Sequence, residues 1–366
     1  MGFDYFYGFN CQALAHSYYP VKLWENGVEV ETGNELVVQG CKFPEGLDKY
    51  DVNNYTQYGG EHYSCDLMYD KMVKFVEDNA SSPFFVMWTT TVPHSAVQAP
   101  LDEVMHYVDK LGDEEPCTDP GMYLPNRYPH ATYAAMVTHI DKQVGDLVQK
   151  LKDLGIWENT IFIVTSDNGP ASNGNSPMEY FRSGGPFKCG KGWGKSSLHE
   201  GGIRMPFVLR WGEGKQCEKT QHISSFADIM PTLAEIVGVE APENDGVSFA
   251  PTVLSQTAGG QQYSHASGIK SGEQKEHEYL YWEFPGSKGW VAVRMGEWKG
   301  IVRKVLKGNT GMELYNLNED PRESKDVASE HPEIVKEMWK AVKESHREAN
   351  PDVPKFNMEI NYPDSL

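Results

Sequence analysis

Two side chains with oxygen donors, Asp167 and Asn168, lie just beyond an apolar run at residues 161–164 of this 366-residue chain. A carboxylate and an amide carbonyl at the end of a rigid strand suit a hard cation such as Ca²⁺ or Mg²⁺. Calcium takes about six to eight oxygens, so such a site needs further ligands from elsewhere. The competing interpretation is a turn, because Asn-Gly adopts positive φ easily and Asp accepts backbone hydrogen bonds.

Two further residues have the chemistry to act on an anion. His94 lies just beyond the apolar run at residues 84–88, and an imidazole that titrates near neutral pH can protonate a departing alkoxide. Lys195 follows a glycine-rich approach, where an ammonium group can bind an oxyanion. The competing interpretations are an ordinary histidine and a surface lysine. Nearby, Glu200 and Arg204 are first interpreted as a tight turn with a salt bridge.

Alternating helices and apolar strands are expected to position these side chains. Apolar residues recur at three- and four-residue spacing over 136–154 and predict an amphipathic helix that ends before Gly155. Short apolar runs predict buried strands at residues 84–88, 161–164 and 205–211. This alternation predicts an α/β fold with a mainly parallel sheet between helices.

The expected sheet also predicts where the site lies. In open α/β sheets, ligands bind beyond the carboxyl ends of the strands. His94, Asp167 and Asn168 each come just past such an end. We therefore expect them along one crevice.

The last third of the sequence predicts a smaller α+β lobe. Alternating patterns predict antiparallel strands at residues 279–284, 291–294, 298–302 and 313–317, followed by an amphipathic helix over about 331–348. Residues 255–276 are polar and glycine-rich and are interpreted as a linker. The predicted domains are an α/β domain over residues 1–260 and a C-terminal subdomain over 261–366.

Composition excludes several classes of protein. The 33 basic and 52 acidic side chains give a net charge of −19, which repels a phosphate backbone, so no nucleic-acid partner is expected. No stretch approaches the roughly 18 uninterrupted apolar residues that a membrane span requires. An anionic substrate needs a local group of cations to overcome the overall charge.

Five short motifs follow one another in a recognisable order and spacing. They are Gly-Phe-Asp-Tyr-Phe-Tyr-Gly at residues 2–8 with Tyr18-Tyr19-Pro20, Pro93-His94, Ser166-Asp167-Asn168-Gly169, Gly194-Lys195 with residues 200–206, and residues 313–317 with Asp320-Pro321. Together they resemble the type I sulfatases, the arylsulfatase family of the alkaline phosphatase superfamily. The resemblance extends from residue 2 to about residue 345.

The resemblance implies an alkaline-phosphatase-like fold and hydrolysis of a sulfate ester, on a small molecule or a carbohydrate. It implies a formylglycine hydrate as nucleophile over a bound Ca²⁺. Carried over to this sequence, Asp167 and Asn168 become metal ligands. His94 lies near the leaving-group oxygen and Lys195 holds a sulfate oxygen, so both are expected to be catalytic and substrate-binding.

The sequence also departs from the family pattern. None of its six cysteines precedes the x-Pro-Ser-Arg or x-Ala-Ser-Arg pattern that marks a formylglycine, and no serine version occurs. The early Asp-Asp pair and the Gly-Lys-Trp-His segment of the family are also missing. We therefore expect the chain to be the C-terminal portion of a sulfatase, with little or no turnover and marginal stability on its own.

Two alternative functions stay open at this point. One is a phosphoester or phosphonate hydrolase of the same superfamily, which shares the metal-centred chemistry. The other is a non-catalytic descendant that binds sulfated ligands.

Overall fold

The computed structural model describes residues 2–172, 176–213, 219–267, 272–349, 352 and 358–363. Internal contacts divide the chain into two compact units. The first unit comprises Met1–Trp157 with Ala171–Tyr180, and the second comprises Glu158–Pro170 with Phe181–Leu366. The domains predicted from the sequence, residues 1–260 and 261–366, stay a prediction.

Among the described residues, the first unit contains a small antiparallel sheet and three α-helices: β1 (Tyr7–Gly8), β2 (Lys22–Glu25), β3 (Val28–Glu31), α1 (Ser64–Asn79), α2 (Leu101–Leu111) and α3 (Pro129–Asp153). β2 and β3 form a hairpin whose two connecting residues, Asn26 and Gly27, both have positive φ, as tight hairpin turns require. α2 and α1 both pack against α3.

Helix α3 confirms the amphipathic helix predicted over residues 136–154 and begins earlier, at Pro129. Proline is favoured at a first helical position because it has no N–H to leave unpaired. The buried side chains Met136, Leu147 and Leu151 lie on one face. Beyond the helix, Gly155 has φ of 71°, the left-handed conformation typical after a helix end.

The run at residues 84–88, predicted as a buried strand, has no β-ladder partner within the described residues. Its side chains alternate in exposure, and Phe85 and Met87 are 60% and 63% exposed. A strand needs a neighbouring chain to satisfy its backbone groups, and a short apolar run cannot reveal whether one is present. This prediction is therefore wrong for the chain as described.

The second unit begins with two paired strands and a series of helices: β4 (Ile161–Thr165), α4 (Glu200–Ile203), β5 (Phe207–Trp211), α5 (Ile229–Val237), α6 (Ala250–Gln256) and α7 (Ala258–Ser267). The predicted linker over residues 255–276 is wrong in its first part, because α6 and α7 occupy it; residues 268–271 lie outside the described residues. β4 and β5 are predicted strands, but their pairing is antiparallel and Val208 is 57% exposed. All strand pairs among the described residues are antiparallel, so the expected parallel pairs are not seen there.

Further along the second unit, the described residues form a four-stranded antiparallel meander covered by one helix, as predicted: β6 (Leu280–Phe284), β7 (Trp290–Met295), β8 (Trp298–Arg303), β9 (Met312–Asn316) and α8 (Pro332–Ser345). One face of α8, with Met338, Trp339 and Val342, packs against Val293 and Leu314 of the sheet. Across the described residues, no helix has the length and apolar character that crossing a bilayer requires.

Candidate functional site

His94 lies in a loop of the first unit that a buried tyrosine fixes. The hydroxyl of Tyr18 is 2.7 Å from the carbonyl oxygen of Thr91 and 2.9 Å from that of His94, and Tyr18 is fully buried. Nδ1 of His94 lies 2.6 Å from the carbonyl oxygen of Ser95. Because a carbonyl oxygen only accepts, Nδ1 carries a hydrogen, which leaves Nε2 as the nitrogen that can exchange a proton with a ligand.

Two aromatic neighbours surround the His94 ring. His16 stacks on it with ring centroids 6.1 Å apart and 4° between the planes, and Tyr123 lies 5.0 Å from His16 and 6.2 Å from His94. All three side chains are half-buried. Burial, and then repulsion from His94, lowers the pKa of His16 below its ordinary value. Neither His16 nor Tyr123 belongs to a motif that sequence reasoning used.

Asp167 and Asn168 follow β4 in the second unit. Asp167 is exposed, whereas Asn168 is half-buried. Nδ2 of Asn168 donates to the carbonyl oxygen of Gly169 at 3.0 Å, so the amide oxygen Oδ1 is directed away from this carbonyl. Gly169 does not have positive φ, contrary to the Asn-Gly turn interpretation. Its lack of a side chain serves a close approach instead, since a Cβ there would lie 1.9 Å from the carbonyl oxygen of Gly201.

Lys195 lies in the same unit, on the loop that leads into α4. Its N–H donates to the carbonyl oxygen of Pro170 at 2.8 Å, and the N–H of Gly169 donates to the carbonyl oxygen of Gly202 at 2.9 Å. These two backbone bonds join the segment with Asp167 and Asn168 to the segment with Lys195. Of the four predicted site residues, His94 belongs to the first unit and the other three to the second. The expectation that all four face one crevice stays a prediction.

The salt bridge predicted between Glu200 and Arg204 is present, but the predicted tight turn is the short helix α4. Arg204 Nη1 lies 3.1 Å from Glu200 Oε2, as expected, and Lys299 of β8 lies 2.8 Å from Glu200 Oε1. Glu323 is also part of this buried group, because its Oε2 accepts from the N–H of Glu200 at 2.7 Å. Sequence reasoning missed Lys299 and Glu323, which lie about a hundred residues away from Glu200.

The side chains of residues 167–168 offer the type of donor atom that a hard cation prefers, but two such ligands are too few to hold one. Both side chains offer oxygen, as Ca²⁺ prefers. Within the described residues, no group of three or more His, Cys, Asp or Glu side chains is arranged to hold a metal ion. Asp167 and Asn168 can therefore be two ligands of a larger set.

Comparison with known proteins decides the family. Residues 1–239 match the family model described as Sulfatase, and residues 191–348 match a model described as N-sulphoglucosamine sulphohydrolase, C-terminal. The first match alone covers more than half of the chain. The chain belongs to the sulfatase family. The family predicted from the five motifs is thus confirmed.

Two curated relatives and one solved structure extend this result. N-acetylgalactosamine-6-O-sulfatase of Bacteroides thetaiotaomicron is 27% identical over 244 residues, 58% of this chain and 43% of its own length. Human N-acetylgalactosamine-6-sulfatase is 24% identical over 319 residues, 82% of this chain and 55% of its own. A structure solved with its substrate, D-glucosamine-2-N,6-O-disulfate, has a TM-score of 0.61 at 18% identity and covers 94% of this chain and 76% of that one.

This structural likeness confirms the predicted alkaline-phosphatase-like α/β fold. The chain spans about half the length of the two curated relatives.

Proposed function

We propose that this sulfatase-family chain supplies the sulfate-binding and metal-binding side chains of a hydrolase that cleaves sulfate esters. The proposed substrate class is a 6-O-sulfated amino sugar. Two relatives are named for sulfate at position 6 of N-acetylgalactosamine, and the structural neighbour holds a 6-O-sulfated glucosamine.

One observation carries the proposal. The loop with Lys195 and the strand end with Asp167 and Asn168 are joined by the backbone bonds from Lys195 to Pro170 and from Gly169 to Gly202. A cationic side chain and two oxygen donors are thereby fixed on neighbouring segments of one unit. A sulfate group requires a cation for its oxygens, and a bound metal ion requires oxygen ligands.

Each side chain has a distinct role in this proposal. The ammonium group of Lys195 pairs with a sulfate oxygen, and the imidazole of His94 gives a proton from Nε2 to the departing alcohol oxygen. Asp167 and Asn168 would hold the Ca²⁺ that the resemblance implies. When bound, the ion supplies positive charge for the sulfate oxygens.

The proposal assigns no nucleophile to this chain. None of its cysteines or serines lies in the formylglycine pattern. Binding is therefore the direct test, and turnover is measured on protein from the longest reading frame that contains this chain.

The experiment is a calorimetric titration of the 366-residue chain with N-acetylgalactosamine 6-sulfate in the presence of Ca²⁺. Unsulfated N-acetylgalactosamine is the ligand control. We expect selective binding of the sulfated sugar and at least about tenfold weaker binding by Lys195→Ala, since a hydrogen bond to a charged group contributes about 1.5–3 kcal/mol. Lys191→Ala, an exposed lysine of the same loop, is the matched control. Equal binding of both sugars, or unchanged affinity in Lys195→Ala, contradicts the proposal.

For turnover, protein from the longest reading frame that contains this chain is assayed with matched sulfate and phosphate esters. A higher rate on the sulfate ester is expected. Faster hydrolysis of the phosphate ester identifies the phosphoester hydrolase instead.

A further inference from the structure

A group of buried charged side chains surrounds the first residue of α4 in the second unit. Lys299 Nζ is 2.8 Å from Glu200 Oε1 and 3.2 Å from Glu323 Oε1. The three residues are at most 2% exposed. We call them the buried charge cluster.

The cluster explains a sequence motif that the proposed function leaves unused. Asp320, with Pro321, begins a turn in which Asp320 Oδ2 accepts from the N–H of Lys325 at 2.8 Å. Glu323, inside this turn, has φ of 52°. Left-handed backbone is uncommon at a residue other than glycine. Here the turn brings the Glu323 carboxylate to the N–H of Glu200, 2.7 Å away.

The Glu200 carboxylate is surrounded by cationic groups that favour its ionised form. Burial opposes ionisation of Glu200, but attraction and a hydrogen bond from Lys299 hold its pKa below the ordinary value. Arg204 and Arg294 add positive charge at 3.1 Å and 3.7 Å from Glu200 Oε2. Removing one member of such a buried pair leaves the other charge uncompensated, which is strongly unfavourable.

Glu200 is the first residue of α4, and the two residues after it are glycines in close contact with the surrounding loops. A Cβ at Gly201 would lie 2.1 Å from the carbonyl oxygen of Lys188, and one at Gly202 would lie 2.4 Å from that of Ser197. The position of Glu200 therefore sets the position of this backbone. α4 cannot shift without moving the loop on which Lys195 lies.

The same backbone reaches the proposed metal ligands. The carbonyl oxygen of Gly202 accepts the N–H of Gly169, directly after Asn168, and the loop returns through the bond from Lys195 to Pro170. Every link from Lys299 to these segments is a hydrogen bond, an ion pair or a close backbone contact within one unit.

We propose that Lys299, Glu200 and Glu323 are positioning residues that fix the backbone carrying Asp167, Asn168 and Lys195. That this backbone carries binding residues rests on the proposed function. Its positioning by the cluster is tested without any ligand. In this proposal the cluster acts on these segments through α4.

The test is hydrogen exchange resolved at single amides in the unliganded 366-residue chain, comparing wild type with Lys299→Met. We expect exchange at the amides of Gly169 and Lys195 to accelerate by about tenfold or more, which is about 1.4 kcal/mol of local opening. Exchange in α8 should stay close to the wild-type rate. Lys325→Met is the matched control, because Lys325 forms an exposed ion pair with Glu330 at 3.2 Å.

Unchanged exchange at Gly169 and Lys195 would overturn the proposal. So would equal acceleration throughout the second unit, because this indicates general destabilisation. If Lys299→Met does not fold, Glu323→Gln is measured instead. This variant keeps an oxygen that accepts from the Glu200 amide, and it leaves the ion pair between Lys299 and Glu200 in place. Its acceleration should be smaller and confined to the same two amides; uniform or absent acceleration would again overturn the proposal.

A second readout separates this inference from the proposed function. In calorimetry with N-acetylgalactosamine 6-sulfate, Lys299→Met should bind several-fold more weakly than wild type, and Lys299→Arg should recover most of the affinity. If wild type does not bind the sugar but exchange changes as expected, the proposed function fails and the positioning stands. If wild type binds and neither exchange nor affinity changes in Lys299→Met, the positioning fails and the function stands.

Discussion

Nε2 of His139 lies 2.9 Å from Oδ1 of Asp66, which links α3 to α1 inside the first unit. On the other side of the ring, Nδ1 lies 3.0 Å from both carboxylate oxygens of Glu103 on α2. The imidazole is buried, and Tyr63 packs edge-on against it at 5.2 Å. Both nitrogens lie against carboxylate oxygens, which only accept hydrogen bonds, so this arrangement favours the imidazolium form of a ring that joins three helices.

This arrangement predicts a pH-dependent stability. Burial alone would lower the pKa of His139, but Asp66 and Glu103 raise it above its ordinary value. The charged His139 ring therefore stabilises the folded state fully below its unfolded pKa of about 6.5. This contribution is lost as pH rises through the higher pKa of His139 in the folded state. We expect the free energy of unfolding, measured in urea, to decrease over that interval. His139→Gln should remove this slope, and His106→Gln, an exposed histidine on α2, should retain it. The same slope in His139→Gln would contradict the assignment.

Gly169 is predicted to be intolerant of any side chain. A Cβ there would lie 1.9 Å from the carbonyl oxygen of Gly201. Relieving this clash requires the backbone segments of Gly169 and Gly201 to move apart, which costs free energy. We expect Gly169→Ala to destabilise the second unit by about 1–3 kcal/mol, as overpacking does, and to weaken binding of the sulfated sugar. Gly145→Ala, in an open position on α3, should instead stabilise by about 0.5–1 kcal/mol. A neutral Gly169→Ala in thermal unfolding would exclude this close approach.

The elements that sequence predicts well are those with strong local patterns. The three- and four-residue spacing in α3 and the alternation in β6–β9 reflect burial of one face, so the pattern alone is sufficient. α2 was missed although its signals are present: Asp102 and Glu103 lie in its first turn, Lys110 in its last, and Gly112 after it. The run at residues 84–88 could not be resolved, because its hydrophobicity does not encode whether a partner strand is available.

The site was only partly predictable for a related reason. Motifs identified His94, Asp167, Asn168 and Lys195, since each follows an apolar run or a glycine-rich loop. Lys299, in contrast, is a lysine in an alternating strand, and such a residue is exposed by default. Its burial depends on Glu200, 99 positions earlier, and no local pattern connects the two.

The stacked imidazoles of His16 and His94 predict a shift that can be measured directly. Burial lowers the pKa of His16, and repulsion from His94 lowers it further. Replacing His94 by Ala removes the second effect, so the pKa of His16 should rise towards about 6.5 without fully reaching it. Titration of the His16 ring by NMR measures this change, with His62→Ala as the control variant. An unchanged pKa of His16 in His94→Ala would show that the two rings do not interact.

The proposed metal ligands predict calcium-dependent stability. A ligand that binds only the folded chain stabilises it by about 2.7 kcal/mol at a concentration of 100 times Kd. We expect Ca²⁺ to raise the Tm of wild type and EDTA to reverse the rise. Asp167→Ala should lose most of this effect, whereas Asp141→Ala, exposed on α3, should retain it. A full calcium response in Asp167→Ala would exclude Asp167 as a ligand.

His94 is predicted to matter most for substrates with poor leaving groups. Nδ1 is committed to the Ser95 carbonyl oxygen, so only Nε2 can give a proton to the departing oxygen. The aryloxide of an activated aryl ester departs without strong protonation, whereas the alkoxide of a sugar must be protonated as it departs. In protein from the longest reading frame, His94→Ala should therefore reduce kcat/KM for the sugar sulfate by about 10²–10⁴-fold, the usual range for general acid catalysis, and for an activated aryl sulfate much less. The ratio of the two losses is the decisive quantity, because misfolding or weaker sulfate binding reduces both rates equally. Equal losses would assign His94 to binding rather than proton donation.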